Sequence, residues 1–115
     1  NTNKETNMTE QYADCIEACY RCAAACDYCA ASCLKEEQLE MMRECVRLDI
    51  QCANICRLVG QLMSMDSEYA KAICKICAEV CQQCGNECGK HEHEHCQECA
   101  KKCNRCAELC LAMSA

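Results

Sequence analysis

A chain of 115 residues is long enough for one domain around one core. Its net charge of −6, with acids and bases interspersed and no basic run, argues against nucleic acid as a partner, and no apolar run approaches the roughly 20 residues needed to span a membrane. With no Pro, Trp or Phe, only 3 Gly and as many as 19 Cys, the composition excludes an ordinary strand-and-turn protein and leaves an all-helical chain poor in large hydrocarbon side chains.

Residues 1–9 are polar and aperiodic and read as a flexible tail; Thr9 is placed to cap the first helix. Helix 1 is expected from about Glu10 to Leu34. Its cysteines, Cys15, Cys19, Cys22, Cys26, Cys29 and Cys33, recur at alternating steps of four and three, which keep every thiol on one helix face. In heptad terms these are the inward a and d positions. Glu17, Arg21 and Asp27 fall on the outer face, and Ala18, Ala23, Ala25 and Ala30 flank the stripe, where small side chains let helices approach. A turn at residues 35–37 leads to helix 2, which ends near Met63 with a mixed stripe: Met41, Cys45, Leu48, Cys52, Cys56, Val59 and Met63. Leu62 and Ile55 flank it, and this helix supplies most of the conventional packing.

Asp66 or Ser67 is expected to cap helix 3, which continues to about Cys88 with Cys74, Cys77, Cys81, Cys84 and Cys88 in line. Gly89 suits a helix C-terminus with positive φ. Gly85 lies inside the helix, where it costs roughly 1 kcal/mol relative to Ala, and close helix contact is its expected use. The run from Lys90 to His95 opens helix 4, which carries Cys96, Cys99, Cys103, Cys106 and Cys110 and ends near Met113. Short loops make successive helices antiparallel neighbours. The expected fold is an all-α, up-down-up-down antiparallel four-helix bundle with a cysteine-lined core, formed by residues 10–115.

Nineteen thiols cannot all pair into disulfides within one chain, and neighbours along one helix face would strain any bridge between them. A reducing compartment, the cytoplasm, is therefore expected. No signal peptide is legible, although a chain beginning at Asn1 is compatible with a leader already removed. A single inward Cys is ordinarily a small buried hydrophobe; the repeat as a whole points to metal. Thiolates favour Cu(I), Zn(II) or iron–sulfur clusters. A zinc tetrathiolate carries about −2, and several of them in a narrow core without Lys or Arg would bury uncompensated charge. Cu(I) at about one ion per thiolate leaves the core near neutral, and it accepts two sulfurs from an i,i+3 or i,i+4 pair. Iron–sulfur ligands converge from loops and do not form a continuous stripe. Catalysis would need an open coordination position and a substrate pocket, and neither is indicated. A redox C-x-x-C motif is expected beside a strand, and none is evident. The pattern reads as a store of many Cu(I) ions and not as an enzyme. A zinc or general heavy-metal buffer of metallothionein type is the alternative, and a metal-free structural or redox thiol protein is a third.

The antiparallel topology makes the two ends different. One gathers Cys33, Met41, Met42, Cys88, Cys96 and the histidines His91, His93 and His95; the other gathers Tyr12, Val59, Leu62, Tyr69, Ile73 and Leu111. Copper is expected to pass through the His/Met end, with the other end plugged. The plainer alternatives are a solvated turn for the histidines and ordinary packing for Met41. The candidate metal ligands are thus all nineteen cysteines with His91, His93, His95 and Met41.

The cysteine runs on four helices resemble the bacterial copper storage proteins. The stretch Cys84-Gly85-Asn86-Glu87-Cys88-Gly89-Lys90-His91-Glu92-His93-Glu94-His95-Cys96 is similar to the cytosolic branch in particular, as are Cys45-Val46-Arg47-Leu48-Asp49 and Cys52-Ala53-Asn54-Ile55-Cys56. The resemblance covers about residues 10–115. It implies a cytosolic store, Cu(I)–thiolate clusters along the bundle, uptake near the histidines and a homotetramer of bundles. The sequence does not identify a copper chaperone or acceptor.

Overall fold

The computed structural model describes the backbone of residues 2–115 and the side chains from Tyr12 onward. Four helices account for nearly all of it: α1 (Thr2–Cys33), α2 (Leu39–Ser64), α3 (Ala70–Cys88) and α4 (Glu94–Ser114), with no strand among the described residues. Helix α1 packs on α2 and α4, and α3 packs on α4 and α2, so the chain runs up, down, up, down around a square. The cross-section is 21 × 19 Å. Only side chains reach across the diagonals of so narrow a bundle, and those side chains are thiols.

Small residues make that width possible. Ala18, Ala23, Ala53, Ala78, Ala100 and Ala107 are buried beside the cysteine stripes. A Cβ on Gly85 would lie 2.6 Å from Asn104 Oδ1 and 3.3 Å from Cys103 Cβ, so this glycine lets α3 press against α4. Gly60 receives the Tyr20 ring of α1 in the same way, 2.9 Å from where its Cβ would be. The outer faces carry ion pairs such as Glu17–Arg21 (3.3 Å) within α1 and Asp27–Arg57 (2.6 Å) between α1 and α2. Their exposure makes them marks of solubility more than sources of stability.

Four expectations change at the helix ends. Helix α1 continues back to Thr2, so Thr9 lies within it and caps nothing; residues 2–9 contain no Gly or Pro to stop the helix. Of the flexible tail expected over residues 1–9, Asn1 lies outside the described residues and residues 2–9 have helical backbone. Helix α3 begins at Ala70, later than a cap at Asp66 or Ser67 implies. Asp66 instead takes positive φ (52°) to reverse the chain, and Ser67 Oγ accepts the Tyr69 N–H at 3.1 Å. Gly89 keeps helical φ (−63°), and its bare Cα lies over Gly85 O, 3.1 Å from the position of a Cβ. At the end away from the histidines, Tyr69 (65%) and Leu111 (47%) point to solvent and plug nothing. Val59 and Met63 are buried at that end, and Tyr12, Leu62, Ile73 and Met113 are half-buried against the core.

Candidate metal centre

All nineteen cysteines are free, and each is 0% exposed. Every stripe therefore faces the axis, as steps of three and four require. Sulfur then meets sulfur along the full core. Near the histidines, Cys29 lies 3.8 Å from Cys96, Cys33 lies 4.0 Å from Cys96, and Cys45 lies 3.2 Å from Cys88. At mid-core, Cys22 contacts Cys52 (3.8 Å) and Cys103 (3.7 Å), and Cys56 contacts Cys81 (3.5 Å). Diagonal contacts, Cys52–Cys103 (4.0 Å) and Cys56–Cys106 (3.9 Å), close the tube across its axis. At the far end Cys15 lies 3.9 Å from Cys110.

These contacts form quartets whose donor atoms all lie within 4.8 Å of one another, among them Cys22/Cys52/Cys56/Cys81, Cys22/Cys26/Cys52/Cys103, Cys26/Cys84/Cys99/Cys103 and Cys29/Cys33/Cys45/Cys96. The quartets overlap: Cys22, Cys26, Cys52 and Cys103 each belong to two of them. A thiol shared in this way must bridge two ions if both sites fill. Isolated tetrahedral sites would not share ligands, so the arrangement suits bridged clusters.

Among the described residues, one polar side chain lies in the core. Asp49 is 0% exposed, and its Oδ1 accepts S–H bonds from Cys84 (3.2 Å), Cys88 (3.3 Å) and Cys99 (3.2 Å). Cys45 donates to Oδ2 at 3.7 Å. Burial, followed by the charges of Cys99 and Cys45, pushes its carboxyl up to about 8. No Lys or Arg is buried beside it among the described residues. Burial also dominates at two thiols of the histidine end: Cys33 is pushed upward and Cys96 up to about 12. Deeper in the core the thiols divide. Hydrogen bonds from Cys103 and Cys110 hold Cys52 and Cys106 down, while the network around Cys22 and Cys106 pushes Cys103 and Cys110 up. The core is thus one connected set of proton-sharing sulfurs.

The histidine end is a built mouth. His95 Nδ1 lies 3.4 Å from Cys29 Sγ and 3.5 Å from Cys96 Sγ, and its Nε2 is 2.9 Å from Glu36 Oε2. With Nε2–H donated to the carboxylate, Nδ1 presents its lone pair to the thiols. The same bond is the chief reason that Glu36 titrates below the usual carboxylate range. His93 stacks on His95 with ring centroids 5.3 Å apart, and its Nδ1 is 3.4 Å from Glu36. His91 turns to Glu87, 2.9 Å away, on the wall of a cleft of about 620 Å³ that Met41, Met42, Glu36 and His93 also line.

Met41 does not continue the α2 stripe. It is 62% exposed at the cleft, while Met42 is buried (2%). Both precede Cys45 by a helical step, of four and of three, and the positions of α1 and α3 decide which one faces inward. Spacing does not single out Asp49 for the same reason. It stands four residues after Cys45 and three before Cys52, a stripe position by spacing, and the apolar Leu48 beside it, also buried, satisfies the same step. Glu36 sits in the expected turn, and nothing local marks it as the residue that orients two histidines.

The copper storage protein family model matches residues 8–115. A Bacillus subtilis (strain 168) protein named uncharacterized cysteine-rich protein YhjQ is 50% identical over 107 residues, spanning 92% of this chain and 99% of the relative. The Cu(I)-bound copper storage protein BsCsp3 superimposes with a TM-score of 0.88 at 48% identity, covering 91% of this chain and 99% of that one. A cytosolic copper storage protein from Streptomyces lividans, solved with five coppers, superimposes with a TM-score of 0.87 at 39% identity, covering 91% and 92%. Its bundle, its thiol-lined axis and these likenesses together place the chain in the copper storage protein family.

Proposed function

We propose that this protein stores Cu(I) in the cytosol, holding many ions per chain as thiolate-bridged clusters along the bundle axis. The observation that carries this is the set of overlapping thiol quartets in a core with no buried cation among the described residues. Each Cu(I) replaces a thiol proton and leaves the sulfur–metal unit neutral, so ions can accumulate without building charge. Zinc tetrathiolates would add about −2 per site to a core that already contains Asp49. The ligands assigned are the nineteen cysteines, with His95 binding at the mouth through Nδ1. His91, His93 and Met41 form an outer ring that accepts ions from solution and passes them inward. Storage, not catalysis, is the role assigned to residues 10–115. The cytosolic location is supported by the free thiols and by the Streptomyces relative described as cytosolic.

Anaerobic titration with Cu(I) against a competing chelator tests the storage reading. The expected result is a loading on the order of one Cu(I) per thiolate. Saturation at about four or five Zn(II), with little Cu(I) retained, would instead establish the zinc buffer. The resemblance also implies four bundles in solution; light scattering should then give a mass near four times 12.9 kDa.

A further inference from the structure

Helix α2 carries fewer thiols than its neighbours, and none beyond Cys56. One heptad after Cys56, on the same inward face, stands Met63. It is 3% exposed, and its Sδ lies 4.0 Å from Cys74 Sγ. Cys15 of α1 and Cys110 of α4, 3.9 Å apart, are the outermost thiols of their helices at the same end. At the closed end of the tube three helices therefore present a thiol each, and the fourth presents a thioether. Val59, Leu62 and Ile73 show that hydrocarbon is available to fill this end. The Met63 sulfur nevertheless lies against the thiol of the last α3 layer.

We propose that Met63 is a copper ligand, completing a three-coordinate thiolate–thioether Cu(I) site with Cys74 and a thiol of the Cys15–Cys110 pair at the closed end of the bundle. This rests on the Cu(I) storage reading. The geometry fits: with metal–sulfur bonds of about 2.3 Å, two sulfurs 4.0 Å apart subtend about 120° at a shared ion, the angle of a trigonal centre. The charge fits as well. Each thiol that binds gives up a proton, whereas the thioether donates its lone pair with none to lose. It therefore adds a ligand without adding negative charge at the end of the core farthest from the histidine mouth. A neutral thioether also binds less tightly than a thiolate, so this site fills after the all-thiolate quartets.

The test uses the reduced full-length chain, kept anaerobic and labelled with selenomethionine, with Met41 and Met42 replaced by Leu to silence the mouth. Selenium-edge absorption of the fully loaded protein should show a Cu–Se shell, and adding Met63→Leu should abolish most of it. In unlabelled protein Met63→Leu should lose about one Cu(I) per chain in chelator competition, the weakest-bound equivalent. Full loading with no Cu–Se shell, or a shell that survives Met63→Leu with unchanged stoichiometry, overturns the proposal and leaves storage intact. Failure of the unsubstituted chain to load Cu(I) overturns the storage reading and this proposal with it. The selenium measurement needs no Met63 variant to refute the idea, so a poorly folding variant cannot shield it.

Discussion

Replacing Asp49 with Asn should make the metal-free protein more stable at neutral pH and flatten the dependence of its stability on pH. The carboxyl is fully buried, and burial raises its pKa from the ordinary 3.8 to about 8. A raised pKa means that the folded state binds the proton more tightly than the unfolded chain does. This stabilisation is fully present below about pH 4 and is lost as pH rises toward 8. Each pH unit in that window removes up to about 1.4 kcal/mol, so raising the pH from about 5 to about 7.5 should cost the wild type about 3 kcal/mol relative to Asp49→Asn. The comparison of the two proteins isolates Asp49, because the thiols held down, such as Cys52 and Cys106, change stability with pH in both of them. Glu36, whose pKa is lowered by its bond to His95, contributes stability lost only in more acidic solution. The buried thiols at the mouth, pushed upward, lose their contribution only as pH rises past the ordinary thiol range, about 8.5. Asn keeps the shape and an oxygen to accept from Cys84, Cys88 and Cys99. The assay is urea unfolding of apo wild type and Asp49→Asn under reducing, anaerobic conditions at several pH values. Parallel curves of stability against pH for the two proteins would refute the reasoning.

Three further outcomes are expected. Replacing His91, His93 and His95 together with Ala should slow uptake of chelated Cu(I) in stopped flow with little loss of capacity, whereas replacing Cys22 and Cys26, each shared by two quartets, should lower capacity and leave the uptake rate nearly unchanged. Gly85→Ala should destabilise the apo protein by up to about 2 kcal/mol in urea unfolding, because crowding of its Cβ against Cys103 Cβ (3.3 Å) and Asn104 Oδ1 (2.6 Å) outweighs the roughly 1 kcal/mol gained in helix propensity, and Asn104→Ala should restore part of the loss. Loading Cu(I) into weakly buffered apo protein should acidify the solution, since neutral thiols such as Cys96, pushed up to about 12 by burial, must lose protons to bind; affinity should fall as pH falls, which competition at two pH values would check.

The alternation of three- and four-residue steps was enough to place nineteen thiols on inward faces, because helical periodicity is a local property and the pattern is repeated on every helix. Helix order, the antiparallel topology and the crowding of histidines at one end followed from short loops. The sequence also singled out Gly85 as a point of close approach. It could not choose between neighbouring residues that both satisfy the step. Met41 or Met42, and Leu48 or Asp49 as the key inward residue, are decided by how far each stripe turns to face three other helices, and only packing determines that. Nor could it show Glu36 as the carboxylate that orients His93 and His95, 59 residues beyond it in the case of His95, because a pairing across such a separation leaves no local trace. The inward placement of the thiols is written in the spacing of the chain. Which sulfurs share a quartet, and which oxygen and thioether join them, is decided across the axis, where four helices meet.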